Sequence, residues 1–324
     1  MDLPVKPSTT AAVVTSLCAV ACAESHELPR GQLMVALSTD MSVPKDLDEL
    51  RFQVFRADGS GLPERQIPIL PAEPAPFGKP LPGTLAIVPS DVGGQQLRIV
   101  VSARRLDPSS GSEPSRVVRE ASVELPTDRA ALLRMRLAWL CTGIVEPVEG
   151  TDDGFRSACG AGQTCVAGSC RPAAVDSEML PDYAAAAVFG GGDAAGESSR
   201  CLDMQTCFAG ARVDAPDSDD CSVPLPSGAD RAQLNVALVL GPHGDGHCLG
   251  TSDGTATDNC YVPLDDDPDE GFHVERRRIV LPRAACDKPG VLGVAASTRC
   301  PTKDASVPVC GPWTGWPEQS ELRP

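Results

Sequence analysis

The chain has 324 residues and a formal net charge of −16, and only 4% of its residues are aromatic. That length is enough for two domains with cores of their own, and those cores must be aliphatic. The charge is uneven: residues 23–145 hold 15 acidic and 14 basic side chains, net −1, and residues 146–324 hold 28 and 13, net −15. Such acidity in the C-terminal half excludes nucleic acid and anionic lipid surfaces as partners for it.

Residues 11–21 (AAVVTSLCAVA) form an apolar run too short to span a bilayer as a helix. Its length fits the apolar part of an export signal. Ala19-Val20-Ala21 before Cys22 looks like a bacterial lipobox, in which the cysteine is acylated and becomes the first mature residue. Ala19 stands where leucine is usual, and the leading segment offers only Lys6 against Asp2. The expectation is a signal over 1–22 with a lipid on Cys22, followed by a tether over 23–30 containing His26. The alternative is an ordinary signal cut after Ala21 or Ala23.

Residues 31–140 contain no cysteine and read as short strands separated by turn signals. Strands are expected over 32–38, 50–55, 83–88, 96–103, 116–125 and 131–140. Leu97, Ile99, Val101 and Ala103 alternate cleanly, as do Leu133, Met135, Leu137 and Trp139, with Arg134 and Arg136 facing the other way. Thr127 could cap a helix over 128–140, but the alternation of arginine with apolar residues favours a strand. Six or seven such strands suggest an immunoglobulin-like Greek-key sandwich. Seven prolines between positions 63 and 82 exclude a central strand there and leave an edge or an extended loop.

Twelve of the fourteen cysteines lie from Cys141 to Cys310. An even number in an exported chain can close six disulfides. Zinc is disfavoured, because only Cys165-x4-Cys170 has a zinc-like spacing and no second pair or histidine completes it. Cys141, Cys159, Cys165 and Cys170 read as a small knot over 141–172, whose pairing the sequence leaves open among three connectivities. Residues 173–199 read as a linker or extended loop with room for one short helical turn.

Residues 200–324 hold eight cysteines and further strand-like runs at 233–240, 260–264, 272–281 and 291–297. A disulfide-stapled β-sandwich of jelly-roll type is expected. Short sequence separation makes Cys248–Cys260, Cys300–Cys310 and Cys207–Cys221 the expected bridges.

The combination of CGAGQTCVAGSC, LPDYAAAAVFGGG, CYVPLDDD and CGPW resembles uncharacterised cysteine-rich secreted proteins and lipoproteins of myxobacterial type. The resemblance spans nearly the whole mature chain and brings no activity with it.

Candidates for chemistry are few. His243 and His247 in GPHGDGHC could place two imidazoles near one metal, although a glycine-rich surface loop is the expectation. Asp265, Asp267 and Asp269, with Asp266 and Glu270 between and beside them, offer alternating hard oxygens for calcium. The EF-hand pattern fails, with Glu270 where glycine is needed and Arg276 where glutamate is needed. Trp313 and Trp316 could stack on a sugar or could cover a nearby disulfide. There is no G-x-S-x-G, H-E-x-x-H or Walker loop.

The reading is therefore an exported envelope lipoprotein, at the outer membrane or cell surface, without a cofactor and without catalysis. It would bind a glycan or protein ligand through loops on rigid sheets. The alternatives are a secreted carbohydrate-active or other hydrolytic enzyme and a structural subunit of an envelope assembly.

Overall fold

The structure is a computed structural model, and it describes residues 31–57, 61, 65–68, 81–88, 95–105, 116–148, 154–191, 200–250 and 257–310. Cys22, His26, Trp313, Trp316 and most of the proline run lie outside the described residues. The chain is all-β and disulfide-stapled, with three helices of four or five residues among the described residues.

The N-terminal unit has seven strands: β1 (Gln32–Thr39), β2 (Glu49–Arg56), β3 (Arg65–Pro68), β4 (Gly83–Ile87), β5 (Gln96–Arg104), β6 (Arg116–Glu124) and β7 (Ala130–Leu137). One sheet has the order β4-β1-β7; the other runs β6-β5-β2-β3. The second order is that of the C′-C-F-G sheet of an immunoglobulin variable domain, read from its far edge. β7 departs from that plan, lying parallel to β1 after the last Greek-key strand. Arginine-apolar alternation does give a strand at β7, followed by one 3-10 turn at Trp139–Cys141. β3, which contains Pro68, sits at the sheet edge, where a missing N–H does least harm.

Leu33, Val35 and Leu37 of β1 meet Ile99 and Val101 of β5 and Leu133 and Met135 of β7 in one core. Each such side chain contributes roughly 1.5–3 kcal/mol when fully buried. Trp139, Leu140 and Cys141 carry the same core onward to Val236, Leu238 and Phe272, so the two halves of the chain share apolar packing.

The knot comprises β8 (Val145–Pro147), β9 (Phe155–Ser157), β10 (Gln163–Val166), β11 (Ser169–Pro172) and β12 (Ala174–Val175). Its bridges are Cys141–Cys165 and Cys159–Cys170. It is docked rather than free. β12 adds in parallel to the outer edge of β6, and the Glu120 N–H donates to Thr164 Oγ1 at 2.7 Å. The described part of the stretch read as a linker continues this docking. Asp182 bridges Ala131, and α1 (Ala186–Phe189) presses Val188 and Phe189 onto Ala36 and Leu132. Ala185 and Ala187 pack beside them as partly buried neighbours.

After α2 (Met204–Phe208), the C-terminal unit contains β13 (Val213–Asp214), β14 (Ser222–Pro224), β15 (Asn235–Leu240), β16 (His247–Gly250), β17 (Thr257–Leu264), β18 (His273–Glu275), β19 (Arg278–Val280), α3 (Arg283–Asp287) and β20 (Val291–Ser297). They form a five-stranded sheet, β13-β20-β15-β17-β16, and a three-stranded sheet, β14-β19-β18. Every strand pair here is antiparallel. β15 is buried along its whole length, because Val236 and Leu238 face the shared core and Ala237 and Val239 face α2. The run 272–281, which reads as one strand, folds back at Arg276 and Arg277, both with positive φ.

Four bridges staple this unit. Cys248–Cys260 joins facing residues of β16 and β17. Cys300 bonds Cys207 rather than Cys310, because α2 packs against β20 and its Cys207 carbonyl accepts from Ser297 Oγ. Cys310 bonds Cys201, because Leu202 and Val309 pair side by side in parallel. Cys221 bonds Cys286 on α3 rather than Cys207, with the Leu281 N–H held by the Cys221 carbonyl. Backbone pairing distant in sequence, not loop length, decides these three.

Candidate functional site

The outer face of the β4-β1-β7 sheet is the floor of a cleft between the two units. Parallel register sets Ala36 beside Arg134 and Ser38 beside Arg136. The small partners leave room for two guanidinium groups, and all four residues line the cleft. Arg134 Nη2 donates to the Ala187 carbonyl at 3.0 Å.

Arg136 turns under the C-terminal unit. It donates to the Asp265 carboxylate, to Asp40 Oδ2 at 3.2 Å and to the Pro263 carbonyl at 3.3 Å. Lys303 Nζ donates to the other oxygen of Asp265. Asp40 Oδ1 accepts from the Trp139 N–H at 2.7 Å. All four charged side chains are buried. Burial raises the Asp40 carboxyl above its ordinary value, against the pull of Arg136 and the Trp139 N–H. Burial acts on Asp265 in the same sense, but the Arg136 and Lys303 charges outweigh it and hold that carboxyl below its ordinary value. Arg136 stays charged, since Asp265 and Asp40 overcome its own loss of hydration. A buried cluster of this kind adds little net stability over apolar packing, but losing one member is costly because it leaves a buried charge uncompensated.

A second set of contacts closes the same seam. Asp46 Oδ2 accepts from the Ser42 N–H at 2.8 Å and from the Gly246 N–H at 2.7 Å. Lys45 Nζ donates to the Gly244 carbonyl at 2.7 Å and to Asp46. Burial raises the Asp46 carboxyl, with Lys45 opposing. Gly246 has φ +85°, and a Cβ there would stand 2.5 Å from the Tyr261 carbonyl oxygen. Trp139 Nε1 donates to Asp245 Oδ2 at 2.8 Å, and Lys288 Nζ lies 4.9 Å from the centre of the Trp139 ring.

The cleft measures about 290 Å³. Met41 and Val43, Leu81 and Pro82, Val188, and Val307 supply apolar wall from four separate segments. Arg134, Arg136, Lys303, Asp265, Glu270 and His247 supply its charged and ionisable groups. Glu270 is engaged by Arg119 Nη2 at 2.7 Å. His247, in β16, is partly buried, and its Nε2 is shut from solvent without a hydrogen-bond partner. Burial, followed by the Lys45 charge, lowers its pKa to about 4, against a hydrogen bond to the Asp40 backbone that favours protonation. The imidazole is therefore neutral near pH 7.

The expected calcium ligands do not converge. Asp265 points inward and is engaged by two cations, whereas Asp267 Oδ1 caps its own turn by accepting from the Asp269 and Glu270 N–H groups at 2.8 Å each. Gly271 allows this tight loop, since a Cβ there would stand 2.0 Å from the Asp265 carbonyl oxygen. His243 is exposed with φ +65°, whereas His247 is partly buried with its Nε2 shut from solvent. Among the described residues no three His, Cys, Asp or Glu side chains are grouped to hold a metal.

Asp40, Arg134, Arg136 and Lys303 were not singled out from sequence as site residues. The available signal was two arginines on one face of β7, but that face looks solvent-directed until the C-terminal unit covers it.

No family model matches the chain, and neither a curated protein nor a solved structure matches it. No helix among the described residues is long and apolar enough to cross a membrane. The six disulfides indicate an oxidising, exported environment.

Proposed function

We propose that the protein is a non-enzymatic binding protein of the cell envelope, anchored by a lipid on Cys22, that takes a small ligand in the cleft between its two β units. The observation carrying this reading is the cleft itself. It has apolar walls from four segments and a few converging polar groups, the usual composition of a ligand site. The ion cluster beneath it holds floor and wall in register, so the site is formed before the ligand arrives.

A hydrolytic second reading draws on Asp40 and Asp265, whose carboxyl pKa values are displaced in opposite directions. Against it, Asp40 does not line the cleft, and the Asp265 oxygens are engaged by Arg136 and Lys303.

A thermal-shift screen of the intact protein against small-molecule metabolites tests the binding reading. Several degrees of stabilisation by one chemical class is expected, abolished by Val307→Trp, which fills the cleft. A flat screen would count against it, and so would turnover of a polysaccharide lost in Asp265→Asn. Labelling with a radioactive fatty acid tests the anchor, and a Cys22→Ala protein that still takes up label would remove it.

A further inference from the structure

We infer that the cleft selects a small amphiphilic anion, whose acid group meets Arg134 and whose aliphatic body lies against Met41, Val43, Leu81 and Val307. This deepens the binding reading and rests on it.

The inference comes from matching charges within the lining. Arg136 and Lys303 are both committed to Asp265, and Arg136 also to Asp40. Glu270 is committed to Arg119. Among the described residues Arg134 has one hydrogen bond, to the Ala187 carbonyl, and no carboxylate within ion-pair distance; its charge acts on Asp265 only from farther off, behind Arg136 and Lys303. It is half-buried, so water screens its charge incompletely. The cleft therefore carries one cation in surplus. His247 neither adds to this nor offsets it, because its imidazole is neutral at pH 7.

An arginine fork left with free N–H groups suits a planar carboxylate. The walls around it exclude a ligand that is charged throughout. Valine, leucine, proline and methionine side chains face the cleft there, and a second charge against them would be desolvated without a partner. A cationic head would meet Arg134 directly. A neutral ligand of the same shape would fill the walls but leave the guanidinium without its anion.

The test is isothermal titration of the intact, oxidised protein at pH 7 with three probes of one length: hexanoate, 1-hexanol and hexylammonium. Hexanoate should bind about tenfold or more tightly than hexanol, as one charge-assisted contact implies, and hexylammonium should give no heat. Arg134→Gln should reduce hexanoate binding to the hexanol level while the protein stays folded, with a melting temperature lowered by far less than in Arg136→Met. Arg134→Lys, which keeps the charge, should recover most of the affinity, and wild-type binding should weaken with added salt. Equal binding of hexanoate and hexanol, or undiminished hexanoate binding in Arg134→Gln, would overturn the anion and leave the cleft as a binding site. Hexylammonium binding as tightly as hexanoate would do the same. Absence of binding by all three probes, together with a flat thermal-shift screen against small-molecule metabolites, would overturn both.

Discussion

The two β units are built from comparable sheets but are held in different ways. The N-terminal sandwich, residues 31–140, contains no disulfide and carries near-balanced charge. Its strands run mostly to eight or nine residues, with aliphatic side chains on the core face. The C-terminal unit lies in the strongly acidic half of the chain, and β13, β14, β18 and β19 have only two or three residues each. Short strands bury little, and like charges repel. Four covalent bonds take over what length and apolar area do in the first unit.

The largest test of this difference is to remove the staples. Cys201–Cys310 and Cys207–Cys300 are nested, with separations of 109 and 93 residues, so the outer bond closes only 16 further residues while the inner one is intact. Replacing the outer pair with alanine should cost about 3 kcal/mol, and replacing both pairs should cost more than about 5 kcal/mol by the chain-entropy relation. Urea unfolding followed by limited proteolysis should then show loss of residues 200–310 with residues 31–140 retained. Simultaneous loss of both units would mean that the core shared through Trp139 and Leu140 dominates, and the contrast would fail.

Arg136→Met tests the seam rather than either unit. It leaves Asp40 and Asp265 buried with reduced compensation, and about 3–5 kcal/mol should be lost. The loss should appear in equilibrium unfolding and should be larger than for Arg134→Gln, since Arg134 acts on Asp265 only at a distance and hydrogen-bonds no buried carboxylate.

Much of the sandwich was legible in the sequence because alternation is a local signal. Leu97, Ile99, Val101 and Ala103 name their own face whatever else the chain does. The Cys248–Cys260 bridge was legible for a similar reason, since one hairpin brings its ends together. Cys207–Cys300 and Cys201–Cys310 depend on α2 and residues 308–310 reaching β20 and residue 202, across more than 90 residues. The cleft was hidden by the same kind of distance. Arg134 and Arg136 were visible as a polar face of β7, but their roles are set by Asp265, Lys303 and α1, far along the chain. The acidic run 265–270 misled because composition suggests a shared ligand, whereas Asp265 is engaged by Arg136 and Lys303 and Asp267 by the N–H groups of its own turn.

Acidification should separate the seam from both units. His247 is displaced from 6.5 in the unfolded chain to about 4 in the folded one. Between those values the unfolded state takes up a proton that the folded state does not, so stability falls as pH drops from 6.5 to 4 and then levels off. The full displacement corresponds to up to about 3 kcal/mol. Asp40 and Asp46 are displaced upward and act in the opposite sense. A comparison of wild type with His247→Gln largely cancels their contribution. The stability advantage of wild type over the variant, measured by urea titration at pH 7 and pH 4.5, should shrink by a few kcal/mol. A pH-independent difference would mean that His247 is not enclosed as described.

The smallest effect is expected where the C-terminal unit looks richest in interactions. Arg283 and Asp287 form an i,i+4 pair on α3 at 3.3 Å, with both side chains more than half exposed. Such a pair is worth about 0.3–0.5 kcal/mol at low salt and less at physiological salt. Asp287→Asn should therefore leave the urea midpoint almost unchanged, although it removes an acidic residue from the acidic half of the chain. If this half is limited by self-repulsion, the substitution should even stabilise it slightly at low salt. A loss of more than about 1 kcal/mol would instead mean that α3 needs the pair to present Cys286 to Cys221. In that case surface charge, as well as disulfides, would have to be counted among the supports of this unit.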